Sequence, residues 1–323
     1  MLRNVRRNIR AGLRRKSMIF WTTPRMMGNI ARNRASNQFM NPQSRRRLFW
    51  LLCSSLISTA VFSCASPDPP RTPALAQVTN TPPEKAAVNA TPVIHVFVAL
   101  ADNVNQGIVP VSATLGNGDN AATNLYWGAA FGIKTFFSRN KDWELVSVTR
   151  NPSDTILERC IFKHRRASLH MVADAYRGKE ISQTTVDFLE AAAGKPGEKL
   201  NAGNVEFHTG GSADLVAYIG HNGLMDFNLN SRPQRRDERE RRAIILACAS
   251  KPYFSSALRE SGATPLLWTT NLMAPEAYVL SAAIDGWMKK ESDEQIRLRA
   301  ADAYNKYQNC GLKGARALFA TGW

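Results

Sequence analysis

Acidic residues are missing from residues 1–63, which hold 13 of the chain's 42 Lys and Arg. The remaining 29 basic residues meet all 26 Asp and Glu, so the formal charge of +16 shrinks to about +3 from Cys64 onward. Nucleic-acid binding needs a basic face on the folded part, and this distribution argues against nucleic acid as a partner. A long hydrophobic run is missing too. The apolar stretch Leu48–Phe62 is 15 residues, short of the roughly 20 that span a bilayer as a helix. No Gly-x-Ser-x-Gly elbow occurs, which removes the usual serine-hydrolase signature. Gly116-Asn117-Gly118-Asp119 lacks the Lys-Ser/Thr of a phosphate-binding loop and reads as a turn. His164 and His170 flank a hairpin without a second ligand pair, so they are expected to face solvent. No metal or cofactor is expected.

What is present at the N-terminus is an export pattern. Arg45-Arg46-Arg47 precedes Leu48–Phe62, a positive segment followed by an apolar one of signal-peptide length. The stretch then meets Val61-Phe62-Ser63-Cys64, which resembles the lipobox of bacterial lipoproteins. That resemblance implies acylation of Cys64 and a membrane anchor on the extracytoplasmic side of a bacterial envelope. Ala74-Leu75-Ala76 offers the alternative of ordinary signal-peptidase cleavage, and Met40 the alternative of a later start. Residues 64–92 carry seven prolines among Thr, Asn and Ala, a composition that stays extended and buries no core. The expected organisation is thus a leader over 1–63, a tether over 64–92 and a single domain over 93–323.

Within that domain the hydrophobic period alternates. Val93–Leu100 is a continuous apolar run, the mark of a strand buried on both faces. A helix is expected around 121–138 and a strand over 143–148. A strand pair over 157–164 and 169–176 turns at Arg165-Arg166, and an amphipathic helix over 180–193 stops at Gly194. Two fully apolar runs follow, Leu215–Ile219 and Ala243–Ala247. Helices over 252–261, 274–289 and 293–308 surround a short strand at 265–268. Strands alternating with helices predict an α/β fold, a mostly parallel sheet with helices on both faces. The mixed-sign run Arg235–Arg242 is expected to be a solvated connector.

In such sheets, reactive groups collect beyond the carboxyl ends of the strands. Leu215–Ile219 runs into Gly220-His221-Asn222-Gly223, and Ala243–Ala247 into Cys248-Ala249-Ser250. If the two strands are adjacent and parallel, an imidazole and a thiol emerge at one edge. A neighbouring His deprotonates a thiol and later protonates a leaving amine. Gly223 leaves a backbone N–H uncrowded for an oxyanion.

This order of apolar strand, His-Gly, apolar strand and Ala-Cys is similar to the caspase-like cysteine peptidases: caspases, legumains, clostripains, gingipains and CHAT-type domains. The segment from Ala247-Cys248 through the helix, Gly262-Ala263 and Pro265–Trp268 resembles the gingipain and CHAT arrangement. The resemblance implies a caspase-like sheet, a peptide or protein substrate and a Cys-His hydrolase. It places the nucleophile on Cys248, the general acid/base on His221 and an oxyanion donor on the Gly223 amide. Some members orient the His with a polar residue just after the first strand, a role open here to Asp102, Asn103 or Asn105. In the family, Gly directly follows the His; here Asn222 intervenes. A non-catalytic lipoprotein that binds or scaffolds through the same fold is the alternative. Of the five cysteines, Cys53 lies in the leader and Cys64 is the acylation candidate. The other three, Cys160, Cys248 and Cys310, leave at least one free thiol in an exported chain. A Cys160–Cys310 disulfide with Cys248 free fits that count.

Overall fold

A computed structural model describes residues 86–323. The leader, the Cys64 lipobox and all but the last residues of the tether lie outside the described residues.

Eight strands form one sheet in the order β10-β9-β8-β7-β1-β4-β3-β2. The central strands are β1 (Val93–Ala99), β4 (His170–Tyr176), β7 (Leu215–Ile219), β8 (Arg242–Leu246) and β9 (Thr264–Thr269). They run parallel to one another. Antiparallel β3 (Ile156–His164) and β2 (Trp143–Arg150) extend one side, and the two-residue β10 (Phe319–Ala320) closes the other. The fold is α/β with a mostly parallel sheet, as the alternating pattern predicts. β1 and β7 are buried along their whole length because helices cover both faces.

One face carries α1 (Ile133–Arg139), α4 (Ala277–Met288), α5 (Asp293–Gln308) and α6 (Leu312–Leu318), packed through Ile133, Phe137, Leu280, Ile284, Ile296 and Leu318. The other carries α2 (Ile181–Ala192) and α3 (Ser250–Ser261), with Phe188 and Phe254 against Phe97 and Tyr218. On this second face a separate hairpin, β5 (Pro196–Ala202) and β6 (Val205–Gly210), adds Phe207 to the core.

The loop over 100–132 lies across the carboxyl end of β1. Asn124, fully buried, holds it there: its Oδ1 accepts from Ala101 N–H at 3.0 Å, and its Nδ2 donates to the Ala101 and Asn117 carbonyls at 2.8 and 3.0 Å. The helix expected around 121–138 is correspondingly short. Gly128 and Gly132 press against the carbonyls of Ala122 and Trp127, where a Cβ would sit 2.0 and 2.4 Å away. A buried Asn satisfying loop backbone, not helix periodicity, fixes residues 121–132.

Two further expectations are corrected. His164 and His170 are buried rather than solvent-facing. The His164 ring stands edge-on to Trp143 and accepts from the Arg166 and Ala167 amides, closing the hairpin turn. His170 stacks on Phe207, and burial lowers the pKa of both imidazoles. The connector over 235–242 is solvated at Arg235, Glu238 and Glu240 but clasped at Arg241. Arg241 is buried and donates to both Asp237 oxygens at 2.7 Å and to Gly211 O at 2.6 Å.

Candidate functional site

The β7–β8 register pairs Ile219 with Leu246. Gly220 N–H continues the ladder onto Leu246 O at 3.2 Å. His221 and Cys248 each stand two residues beyond the last paired residue of their strand, where the chains emerge from the carboxyl ends of adjacent parallel strands. Ile219 and Leu246 share the α4/α5 face, and both chains leave strand geometry directly after them. Gly220 makes the step possible: its φ is +143°, and a Cβ there would meet Ala99 O at 2.6 Å.

His221 is 6% exposed, and its Nε2 lies 2.8 Å from Asp226 Oδ2. A carboxylate accepts, so this contact assigns the proton to Nε2 and leaves Nδ1 as the basic nitrogen. The same Asp226 oxygen accepts from Gly107 N–H at 2.9 Å. Asp226 reaches the ring because the 3-10 turn Gly223–Met225 folds the chain straight back after Asn222, with Asp226 N–H on Gly223 O at 2.8 Å.

Cys248 is partly buried. Its Sγ accepts from Met273 N–H at 3.4 Å and donates to Met273 O at 3.5 Å. Burial pushes the thiol pKa up, and the Met273 N–H only partly offsets the rise. No hydrogen bond joins the His221 ring to Cys248 among the described residues. The next residue, Ala249, takes left-handed φ +47°, ψ +41° and starts α3. Its N–H goes to Asn271 O at 2.9 Å, and Ser250 Oγ ties the turn down to Ile245 O at 2.9 Å. A non-glycine residue in this conformation is costly and is held by its surroundings.

No protein-family model matches the chain, and neither a curated protein nor a solved structure does.

The remaining residues singled out from the sequence sit as follows. Asp102 closes its own loop: Oδ1 accepts from Val104 and Asn105 N–H at 2.8 and 3.1 Å, and Oδ2 from Asn105 Nδ2 at 2.8 Å. Asn103 pairs with Val111 through both ends of its amide. The imidazole's partner is therefore Asp226, not these three residues. The Gly223 amide lies against the buried Tyr218 hydroxyl, which donates to His221 O at 2.7 Å. That amide thus lies on the α2/α3 side of the sheet, against Tyr218. The Cys160–Cys310 disulfide that fits the cysteine count is not formed: Cys160, Cys248 and Cys310 are all free. Cys160 is fully buried in β3, where burial pushes its thiol up to about 12, whereas Cys310 is exposed after α5.

Asp226 and Met273 escaped the sequence reading. Asp226 lies five residues beyond His221 in a short turn, and Met273 acts through its main chain, so neither leaves a motif. A second cluster stands on the α2/α3 face beside a cavity of ≈ 250 Å³. There the Arg159 guanidinium grips Asp174 at 2.6 and 2.9 Å and Glu198 at 2.7 and 3.1 Å, while His95 Nε2 reaches Asp174 at 3.0 Å. Gly210 N–H donates to His95 Nδ1 at 3.1 Å. These groups satisfy one another and join the β5–β6 hairpin to the sheet.

Proposed function

We propose that this chain is a lipid-anchored, caspase-like cysteine hydrolase that cleaves peptide bonds. The observation that supports this reading is that an Asp226-bound His221 and Cys248 follow the carboxyl ends of adjacent parallel strands. In the proposed step, the Cys248 proton passes to His221 Nδ1 while Sγ bonds to the substrate carbonyl carbon. The Cys248 amide, which makes no hydrogen bond among the described residues, is the donor left for the developing oxyanion. Collapse breaks the C–N bond, the imidazolium protonates the leaving amine, and water then hydrolyses the thioester. Asp226 holds the ring tautomer throughout and stabilises the imidazolium. Before attack, Sγ has to leave Met273 and turn to Nδ1; catalytic contacts of this kind tighten when substrate arrives.

A second reading, binding without catalysis, is favoured by the Met273 contacts and the raised thiol pKa. Iodoacetamide separates the two, with labelling of each cysteine peptide in the full chain followed by mass spectrometry at pH 7. The exposed Cys310 is an internal reference for an ordinary thiol. The hydrolase reading expects Cys248 to label faster than Cys310 despite its lower exposure, and His221→Ala to slow it by about tenfold or more. Labelling of Cys248 only after denaturation would overturn it in favour of binding.

A further inference from the structure

Asn222 interrupts the His-Gly order, and its side chain is fully buried between the two strand ends. Nδ2 donates to Cys248 O at 2.7 Å. Oδ1 accepts from Leu224 N–H at 3.1 Å and so caps the 3-10 turn that delivers Asp226 to the imidazole. The amide orientation is fixed by its partners, since a carbonyl only accepts and a backbone N–H only donates. Asn222 O also accepts from Met225 N–H at 3.0 Å, completing the turn.

We propose that Asn222 is a positioning residue of the Cys248–His221 site, one side chain that sets the thiol's main chain with one end and the imidazole's carboxylate with the other. The proposal rests on the hydrolase reading above. The residue type follows from the two jobs. Aspartate lacks the donor for Cys248 O and sets an acceptor against it. Serine caps the turn well but does not reach the neighbouring strand. Glutamine carries the amide one methylene too far. Without the brace, Cys248 O loses its partner just ahead of the left-handed Ala249, and the residue that carries the thiol is no longer tied to the residue after His221.

The test measures the rate of Cys248 alkylation by iodoacetamide against pH, in the full chain, for the wild type, Asn222→Ser, His221→Ala and the double variant. Cys310 is again the reference, and thermal unfolding of each variant is recorded alongside. Asn222→Ser is expected to slow Cys248 at pH 7 by about tenfold. It is also expected to shift the half-rise of the profile to that of His221→Ala. The double variant should label no slower than His221→Ala alone, because both changes break one unit. A merely structural Asn222 would lower the unfolding temperature and leave the half-rise in place, which overturns the proposal while His221→Ala still slows labelling. If His221→Ala itself changes nothing, the Cys-His reading falls first. Should Asn222→Ser not fold, Asn222→Asp keeps the volume and the cap. Its added charge would slow labelling again in the His221→Ala background, whereas loss of positioning would not. An additive double variant overturns the proposal there as well.

Discussion

A methyl group at Gly223 would fall 2.6 Å from Phe227 Cε1 and 3.1 Å from Ile181 Cγ1. Both neighbours pack on the α2/α3 face, Ile181 buried and Phe227 partly buried just after Asp226. The glycine that suggested an oxyanion donor is therefore explained by close packing. Gly223→Ala is expected to lower the unfolding free energy by about 1–3 kcal/mol, the usual cost of overfilling a packed site, read from urea denaturation. Little loss would mean that Phe227 yields and the turn is looser than its hydrogen bonds imply. At this scale the sequence disclosed the reactive residue types and their strand-end positions, because an apolar run that stops at His or Cys is visible in one dimension. It did not disclose which polar group meets which. Asp102 sits just after β1, where an orienting residue was expected, yet it is used up by the amides of its own loop. The group that reaches His221 comes from a five-residue turn with no periodicity to mark it.

At the scale of elements, legibility followed burial. Val93–Ala99, Leu215–Ile219 and residues 243–246 are buried on both faces and apolar apart from His95, and that near-continuous pattern identified them. Hairpin β5–β6 was missed because Pro196–Ala202 is largely exposed and mixes Pro, Gly, Glu and Lys, leaving no apolar run to read. A buried charge network fastens it instead. Arg159 on β3 lies opposite Asp174 on β4 and reaches across to Glu198 on the hairpin. Burial alone would raise the Asp174 pKa, but hydrogen bonds from His95 and Arg159 outweigh it and hold the carboxylate below its ordinary range. A lowered carboxylate contributes stability that is complete above the unfolded value of about 3.9 and is lost as pH falls through the folded one. Asp174→Asn leaves Arg159 with only the exposed Glu198, so at pH 7 the variant is expected to lose about 3–5 kcal/mol. Urea midpoints at pH 7 and pH 3 check this: the wild type should drop further on acidification than Asp174→Asn. Parallel drops would show that other groups govern acid unfolding.

For the whole molecule, the charge partition shapes how the chain is proposed to work. The 13 basic residues of 1–63 sit beside an apolar stretch and are expected to leave with it, so the domain itself is close to neutral. Among the described residues no helix is long and apolar enough to cross a membrane, and the proposed attachment is chemical, through Cys64. A proline-rich tether extended at about 3.1 Å per residue would let the domain reach roughly 85 Å from that anchor, enough to act on substrates away from the lipid surface. One acyl chain gives only marginal membrane binding, so a lipoprotein-type anchor has to carry more than one. Expressed in a bacterium fed a radiolabelled or alkyne-tagged palmitate, the wild type is expected to incorporate label and sediment with membranes. Cys64→Ala should lose the label and move to the soluble fraction, or stall as uncleaved precursor in the membrane without label. Cys53→Ala should behave as wild type, because that cysteine lies inside the apolar stretch rather than at its end. Label that persists in Cys64→Ala would overturn the anchor, and a mature chain beginning after Ala76 would assign cleavage to Ala74-Leu75-Ala76 and make the domain a freely exported one.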